Sequence, residues 1–293
     1  MDINFELYKI FYHTVTSSSF SNAAEKLFIT QSAVSQAIKN LESKIGATLF
    51  FRHNRNLKLT PEGEMLFTHI EQAYNFIKTG EQKLTEIQNL DSGEIRIGAS
   101  DTVCKYFLMP YLENFHRLYP KVKLQFINRT SPKILDNLKN GSIDLGIVTL
   151  PLNGKNVTVY ELTNVTDIFV AAPKYNELKD RQVKLAELAG YPLLLLEKAS
   201  STRRNFDGFL QDKQLNLVPE IELESVDLLV EFARIGMGVA HVLKESALAP
   251  IENGELFEIK TAEKIPQRQL GLVIMRQVPL SKAAEVFVNL LNC

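Results

Sequence analysis

The sequence predicts an α/β fold in three consecutive parts. A small helical unit ends in a hairpin wing, one long amphipathic helix follows, and a larger region then alternates strands with helices. Three observations carry that prediction. Apolar residues recur at helical spacing through the first sixty positions, with Ser, Thr and Gly signals between the runs. A heptad series of apolar and small residues then extends from 66 to 87. From residue 91 onward, short apolar strands alternate with helical patterns, as βα units with mostly parallel sheets and helices on both faces do.

Composition sets the outer limits. The chain has 293 residues, room for about two domains, and is 45% hydrophobic and 23% charged, the balance of an ordinary globular core. Its 33 basic and 34 acidic residues leave a formal charge of −1. That excludes a generally basic, nucleic-acid-coating protein but leaves local patches open. The opening MDINFELYKIF mixes acids with apolar residues, so it does not read as a secretory signal. No apolar run reaches the roughly 18 residues that span a membrane. Cys104 and Cys293 are far apart and lack CxxC spacing, which fits a reducing cytoplasm and no structural metal.

The helical unit starts with Leu7, Ile10, Phe11 and Val15, and this helix stops at the Ser17–Ser19 run. Ser21 or Asn22 is placed to cap a second, short helix with inner face Ala23, Ala24, Leu27 and Phe28. Thr30 caps a third, which continues to about Lys44 and closes at Gly46. Val34, Ala37, Ile38 and Leu41 form its inner stripe, and Ser32, Ser35, Gln36 and Lys39 its outer one. A merely solvated face prefers long charged residues in i,i+4 pairs. Short hydroxyls and amides suit base edges instead, with Arg and Lys at the margin for phosphate.

Two helices joined by a turn of about three residues form the helix-turn-helix motif, whose second helix enters the DNA major groove. The candidate contacts are Thr30, Gln31, Ser32, Ser35, Gln36 and Lys39, with Arg52 and Arg55 on the following hairpin, FFRHNRNLKLTPEG. Seven basic residues face four acidic ones within residues 1–60, so this part is locally positive. The alternative is a helical hairpin with a polar surface and no nucleic-acid partner.

The fixed spacing of Leu7, Phe11, Ser19-Phe20-Ser21, Ala23-Ala24, Leu27, Thr30-Gln31-Ser32-Ala33-Val34-Ser35, Ile38, Leu41-Glu42, Gly46, Leu49-Phe50, Arg52, Arg55, Leu59-Thr60 and Gly63 resembles the LysR-type transcriptional regulators. The resemblance extends over essentially the whole chain. It implies a winged helix-turn-helix at 1–60, an oligomerising linker helix at 61–90, and a small-molecule sensing domain at 91–293. It also implies a partner of double-stranded DNA carrying an interrupted palindrome, and assembly as a homodimer or homotetramer.

Pro61 opens the linker helix. Leu66, Ile70, Ala73, Ile77, Gly80, Leu84 and Ile87 follow a 4-3-4-3-4-3 spacing, an a/d seam for a second copy of the chain. The dimerisation residues expected are therefore Leu66, Ile70, Ile77 and Leu84. One long helix packed on its own domain is the other reading.

Residues 91–293 contain the strands GEIRIGAS, VKLQFIN, DLGIVTL, PLLLL, EIELES, GVAHVL and QLGLVIM, separated by helical segments. The resemblance implies a periplasmic-binding-protein-like domain of two lobes, placed at 91–160 with 266–293 and at 161–265. Ligands in such sheets bind beyond the carboxyl ends of the strands. The polar loops there supply the effector candidates Ser100, Thr102, Thr130, Ser131, Ser201, Thr202 and Arg203. Free N–H groups at helix starts favour an anion, and a guanidinium clamps a carboxylate. Equally, the hydroxyls are ordinary helix caps and Arg203 a surface arginine. Asp101 either caps a helix or receives an ammonium group, which would suit an amino acid derivative.

Two further residues stand out. Cys104 lies near a helix start, where a thiolate is stabilised, but without a second suitably placed cysteine it reads as a packed small residue. His241 reads as buried and hydrogen-bonded. No GxSxG, HExxH, P-loop or GxGxxG pattern points to an enzyme, and no cofactor is expected. A solute-transport protein would share 91–293 but have no use for the first sixty residues.

Overall fold

The computed structural model describes residues 3–51, 57–88, 93–152, 154, 156–276 and 278–291, with backbone alone at 82–83 and 85–88. The wing tip with Arg52 and Arg55, the Ile87 side chain and Cys293 lie outside the described residues. The chain divides into two compact units, one of residues 1–85 with 139–142 and one of 86–138 with 143–293.

The first unit contains α1 (Phe5–Thr16), α2 (Phe20–Leu27), α3 (Gln31–Ile45) and α4 (Pro61–Gln88). Side-chain caps fix three of the starts: Asn4 accepts the Glu6 N–H, Ser19 that of Asn22, and Thr30 that of Ala33. The cap of α2 is thus Ser19 rather than Ser21 or Asn22. Those two sit inside the first turn, because the helix already begins at Phe20. Phe28 ends α2 in a left-handed conformation (φ 56°), which swings its ring off the inner stripe and leaves it 95% exposed. The inner face of α2 is therefore Ala23 and Ala24, fully enclosed, with Leu27 partly so.

Val34, Ile38 and Leu41 of α3 pack with Phe11, Ala23, Ala24, Leu49 and Phe50. The segments flanking the wing pair antiparallel, with Phe50 opposite Leu59 and the Phe51 N–H donating to the Lys58 carbonyl at 3.0 Å. Glu42 of α3 holds this pair in place by accepting the Leu49 N–H at 2.7 Å. Gly63 lets α4 start directly against it, since a Cβ there would stand 2.2 Å from the Leu49 carbonyl oxygen.

Helix α4 divides the expected seam in two. Leu66, Phe67 and Ile70 pack on the core of their own unit, and Tyr74 stacks on Tyr12 with centroids 4.2 Å apart. Ile77 and Leu84 are exposed, at 45% and 66%. The helix has 28 residues, about 42 Å at 1.5 Å per residue, far longer than the three-helix body can cover.

The second unit holds two sheets. The first contains β1 (Glu94–Ala99), β2 (Lys123–Asn128), β3 (Leu145–Leu150), β4 (Val157–Val165) and β11 (Arg268–Met275) in the order β2-β1-β3-β11-β4. Around it lie α5 (Asp101–Val103), a π-helical segment (Cys104–Leu108) leading into α6 (Met109–Leu118), α7 (Ser131–Lys139) and α11 (Lys282–Leu290).

The second sheet contains β5 (Asp167–Ala171), β6 (Gln182–Val183), β7 (Leu193–Leu196), β8 (Ile221–Leu223), β9 (Val239–Leu243) and β10 (Phe257–Thr261) in the order β6-β10-β5-β9-β7-β8. Its helices are α8 (Ser201–Asp212), α9 (Val226–Arg234) and α10 (Lys244–Glu252). Strands fed by helical crossovers run parallel, as in β1/β2, β1/β3, β7/β8 and β7/β9. The strands beside the lobe crossings, β11 and β5, run antiparallel to their neighbours because the chain enters them from the opposite lobe. Since β4 belongs to the first sheet through Val165, the first crossing falls at Thr166, not at 160, and the second spans 262–267.

Candidate functional site

In the first unit, α3 presents Thr30, Gln31, Ser32, Gln36 and Lys39 to solvent, while Ser35 is half-buried. Thr30 is already committed as the cap: its Oγ1 accepts the Ala33 N–H at 3.2 Å and lies 2.9 Å from Ser32 Oγ. Gln31, Gln36 and Lys39 have no side-chain hydrogen bond or ion pair among the described residues, so their polar groups are available to an outside partner. The amino end of α3 also carries the positive pole of the helix. Arg52 and Arg55 lie outside the described residues.

The second unit encloses a cavity of about 460 Å³ between its two sheets. Six of the seven sequence candidates line it: Ser100, Thr102, Thr130, Ser131, Ser201 and Thr202. Ser100 acts partly as a cap, accepting the Val103 N–H at 3.3 Å. Ser131 starts α7 and accepts the Thr149 N–H at 3.1 Å, and Thr149 Oγ1 in turn accepts a hydrogen bond from Arg268 at 3.4 Å. Both hydroxyls are buried, and among the described residues neither donates its own proton to the protein. Each is therefore a donor awaiting an acceptor. Arg268 is anchored by a doubly hydrogen-bonded pair with Asp167, at 2.6 Å for Nη2 to Oδ1.

Arg203 is the exception. It is 4% exposed and spends its guanidinium inside its own lobe, on Asp207 (2.7 Å), the Leu196 carbonyl (2.8 Å) and Glu222 (2.9 Å). A buried guanidinium must be fully paired, and these partners tie α8 to β7 and β8, so that Arg203 is not among the residues lining the cavity. The cations that do reach the cavity are Arg129, just past β2, and Arg268 at the start of β11. In the sequence Arg268 looked like any strand-edge arginine; only the crossing geometry turns it inward. Asp101 behaves as a cap, its Oδ1 accepting the Thr102 N–H at 2.9 Å, while still lining the cavity.

A polar contact bridges the two lobes. Lys105 donates to Asp227 at 2.8 Å and Tyr106 donates to its other oxygen. Burial opposes the Asp227 charge, but the hydrogen bonds from Lys105 and Tyr106 outweigh it and hold the carboxyl below its usual range. Burial and then the neighbouring Asp101 push the Cys104 thiol up, so this cysteine is packed rather than activated. His241 is buried, but its Nε2 has no hydrogen-bond partner among the described residues. Rings face it instead, Phe206 of α8 stacked at 4.1 Å and Phe169 of β5 at 4.9 Å, and burial lowers its pKa to about 4. Among the described residues no metal-binding group and no helix long and apolar enough to cross a membrane is present.

Comparison with known proteins gives matches to both halves. Residues 88–293 match the family described as LysR substrate binding domain, and residues 5–64 match bacterial regulatory helix-turn-helix protein, lysR family. The chain is 25% identical over 285 residues to the HTH-type transcriptional activator CmpR of Synechocystis, covering 97% of this chain and 93% of that protein. It is 28% identical over 277 residues to the HTH-type transcriptional regulator CfxR of Cupriavidus necator, covering 94% and 87%. In fold it is similar to a full-length OxyR variant from Pseudomonas aeruginosa (TM-score 0.75, 19% identity, 100% of this chain and 95% of that one). Full-length CbnR in complex with its target DNA has a TM-score of 0.71 at 15% identity, covering 99% of each chain.

Proposed function

Because the chain belongs to the LysR family of bacterial regulatory helix-turn-helix proteins, we propose that its α3 face reads an operator and that a small anion in the inter-lobe cavity controls the outcome. The protein is a DNA-binding transcriptional regulator and not an enzyme. The observation that carries the finer reading is the α3 surface: a capped helix with a positive amino end whose exposed Gln31, Gln36 and Lys39 have no protein partner among the described residues.

On this reading Gln31, Ser32, Ser35 and Gln36 face base edges, and Thr30 fixes the helix start that points them there. Lys39, Arg52 and Arg55 bind phosphate. Ile77 and Leu84 pair two copies of α4, while Leu66 and Ile70 lower on the stripe seat the helix on its own unit, so that two α3 helices reach two half-sites of an interrupted palindrome. A tetramer is then a pair of such dimers. A protein that reads the chromosome acts in the bacterial cytoplasm.

The effector's anionic end is supported by Ser131 and Thr149, whose free hydroxyl protons meet beside Arg268 at the start of α7, with Ser100, Thr102, Thr130, Ser201 and Thr202 around the rim. A ligand gripped by both lobes changes the regulator only through its differential affinity for two arrangements. The test is a gel-shift titration against salt. Arg52→Ala should lower specific and nonspecific affinity together and flatten the salt dependence, whereas Gln36→Ala should erode only the preference for the specific site. An Arg52→Ala variant with changed site preference and an unchanged salt slope would refute the assignment.

A further inference from the structure

The two walls of the cavity differ in charge. Strands β9, β7 and β8 are parallel neighbours, and each delivers one glutamate at its carboxyl end. Glu245 stands just past β9, Glu197 follows Leu196 of β7, and Glu224 follows Leu223 of β8. All three line the cavity, and no lysine or arginine of the second lobe does. None of the three has an ion pair or a side-chain hydrogen bond among the described residues. The first lobe is different. Its lining pairs Arg129 and Arg268 with Asp101 and Glu161, and both acids are engaged, Asp101 with the Thr102 N–H and Glu161 with the Gln269 amide at 2.9 Å. So the buried hydroxyl donors, Ser131 and Thr149, and both lining arginines belong to the first lobe, and the unused carboxylates belong to the second.

We infer that the cavity takes a small zwitterion, its carboxylate on Ser131 and Thr149 and its ammonium on Glu197, Glu224 and Glu245. The inference rests on the cavity being the effector site, as proposed above. Three like charges around one cleft repel, and a cation between them relieves that repulsion. An ammonium is compact and carries its own donors, so a hydrogen bond to one of these carboxylates and the field of the other two are enough to hold it. A divalent metal fits less well, because among the described residues no three acidic or His/Cys side chains come close enough to hold one. A molecule with opposite ends on opposite lobes also gains most when the lobes close.

The test uses the full-length chain, thermal-shift screening and calorimetry. The panel is the common amino acids and 4-aminobutanoate, each beside its amine-free acid and its carboxylate-free amine. At least one zwitterion should raise the melting temperature, with its two truncated analogues binding at least about tenfold more weakly. Glu224→Gln or Glu245→Gln should weaken it by about tenfold, and Glu224→Asp, which keeps the charge, by less. Far-UV circular dichroism checks that each variant folds.

If an amine-free acid binds as tightly and the glutamine variants leave it unaffected, the zwitterion is refuted. The cleft reading stands in that case provided Ser131→Ala weakens the acid. Binding of the zwitterion that ignores Ser131→Ala and the glutamine variants alike refutes both. A panel in which no zwitterion stabilises the protein also overturns the inference.

Discussion

At the level of single residues, the proposed operator contacts lie on the outward side chains of α3. Replacing Gln31 or Gln36 by Ala should relax discrimination at one base pair by about 1–3 kcal/mol, read as the affinity ratio between matched and mismatched duplexes. Ser35 is half-buried, so Ser35→Ala should cost less discrimination than either glutamine. His241 makes a separate prediction. Folded, it stays neutral down to about pH 4, whereas the unfolded chain gains that proton near its ordinary value of about 6.5. The unfolded state therefore binds more protons between those values, and stability falls as the pH drops through them. Urea unfolding should show about 2 kcal/mol lost between pH 7 and pH 5 through this group, an effect absent in His241→Phe.

At the level of elements, α4 and the lobe-to-lobe contact are the parts whose roles can be separated. Ile70 serves the core of its own unit, whereas Ile77 and Leu84 have their faces in solvent. Ile77→Glu or Leu84→Glu should therefore break self-association without unfolding the chain, because each charge would meet its symmetry copy in an apolar seam. Ile70→Glu should lower the melting temperature as well. Light scattering at micromolar concentration separates these outcomes, and a folded Ile77→Glu protein that stays fully dimeric would exclude α4 as the main interface. The Lys105–Asp227 contact is about half exposed, at 55% and 46%, so it is worth at most about 1 kcal/mol. Asp227→Asn should thus shift effector affinity by no more than about fivefold in calorimetry, in contrast to loss of a buried donor such as Thr149.

For the whole molecule, the parts legible in the sequence were those with strong periodicity. The α3 stripe, its Thr30 cap, the Gly46 stop and the strand–helix alternation all stand where spacing placed them. What spacing could not supply was direction. Phe28 belongs to the apolar pattern, yet one left-handed residue turns it to solvent. Arg203 and Arg268 look equivalent as residues, but one is consumed by Asp207 and Glu222 while the other is carried to the cavity by the lobe crossing. The three glutamates at the ends of β7, β8 and β9 are dispersed over nearly fifty residues, and only the sheet order gathers them. The crossing at Thr166 was missed because β4 reads as one more strand, with nothing local to mark the lobe it pairs in.

The central claim is that the first unit reads DNA sequence through α3 as a symmetric pair. Selection of bound duplexes from a random library by the full-length protein tests it most directly. The account predicts enrichment of an interrupted palindrome with two matching half-sites, and Gln36→Ala should blur the same position in both halves. Enrichment of no sequence above the input, or of a site whose recognition Gln31→Ala and Gln36→Ala leave untouched, would contradict it.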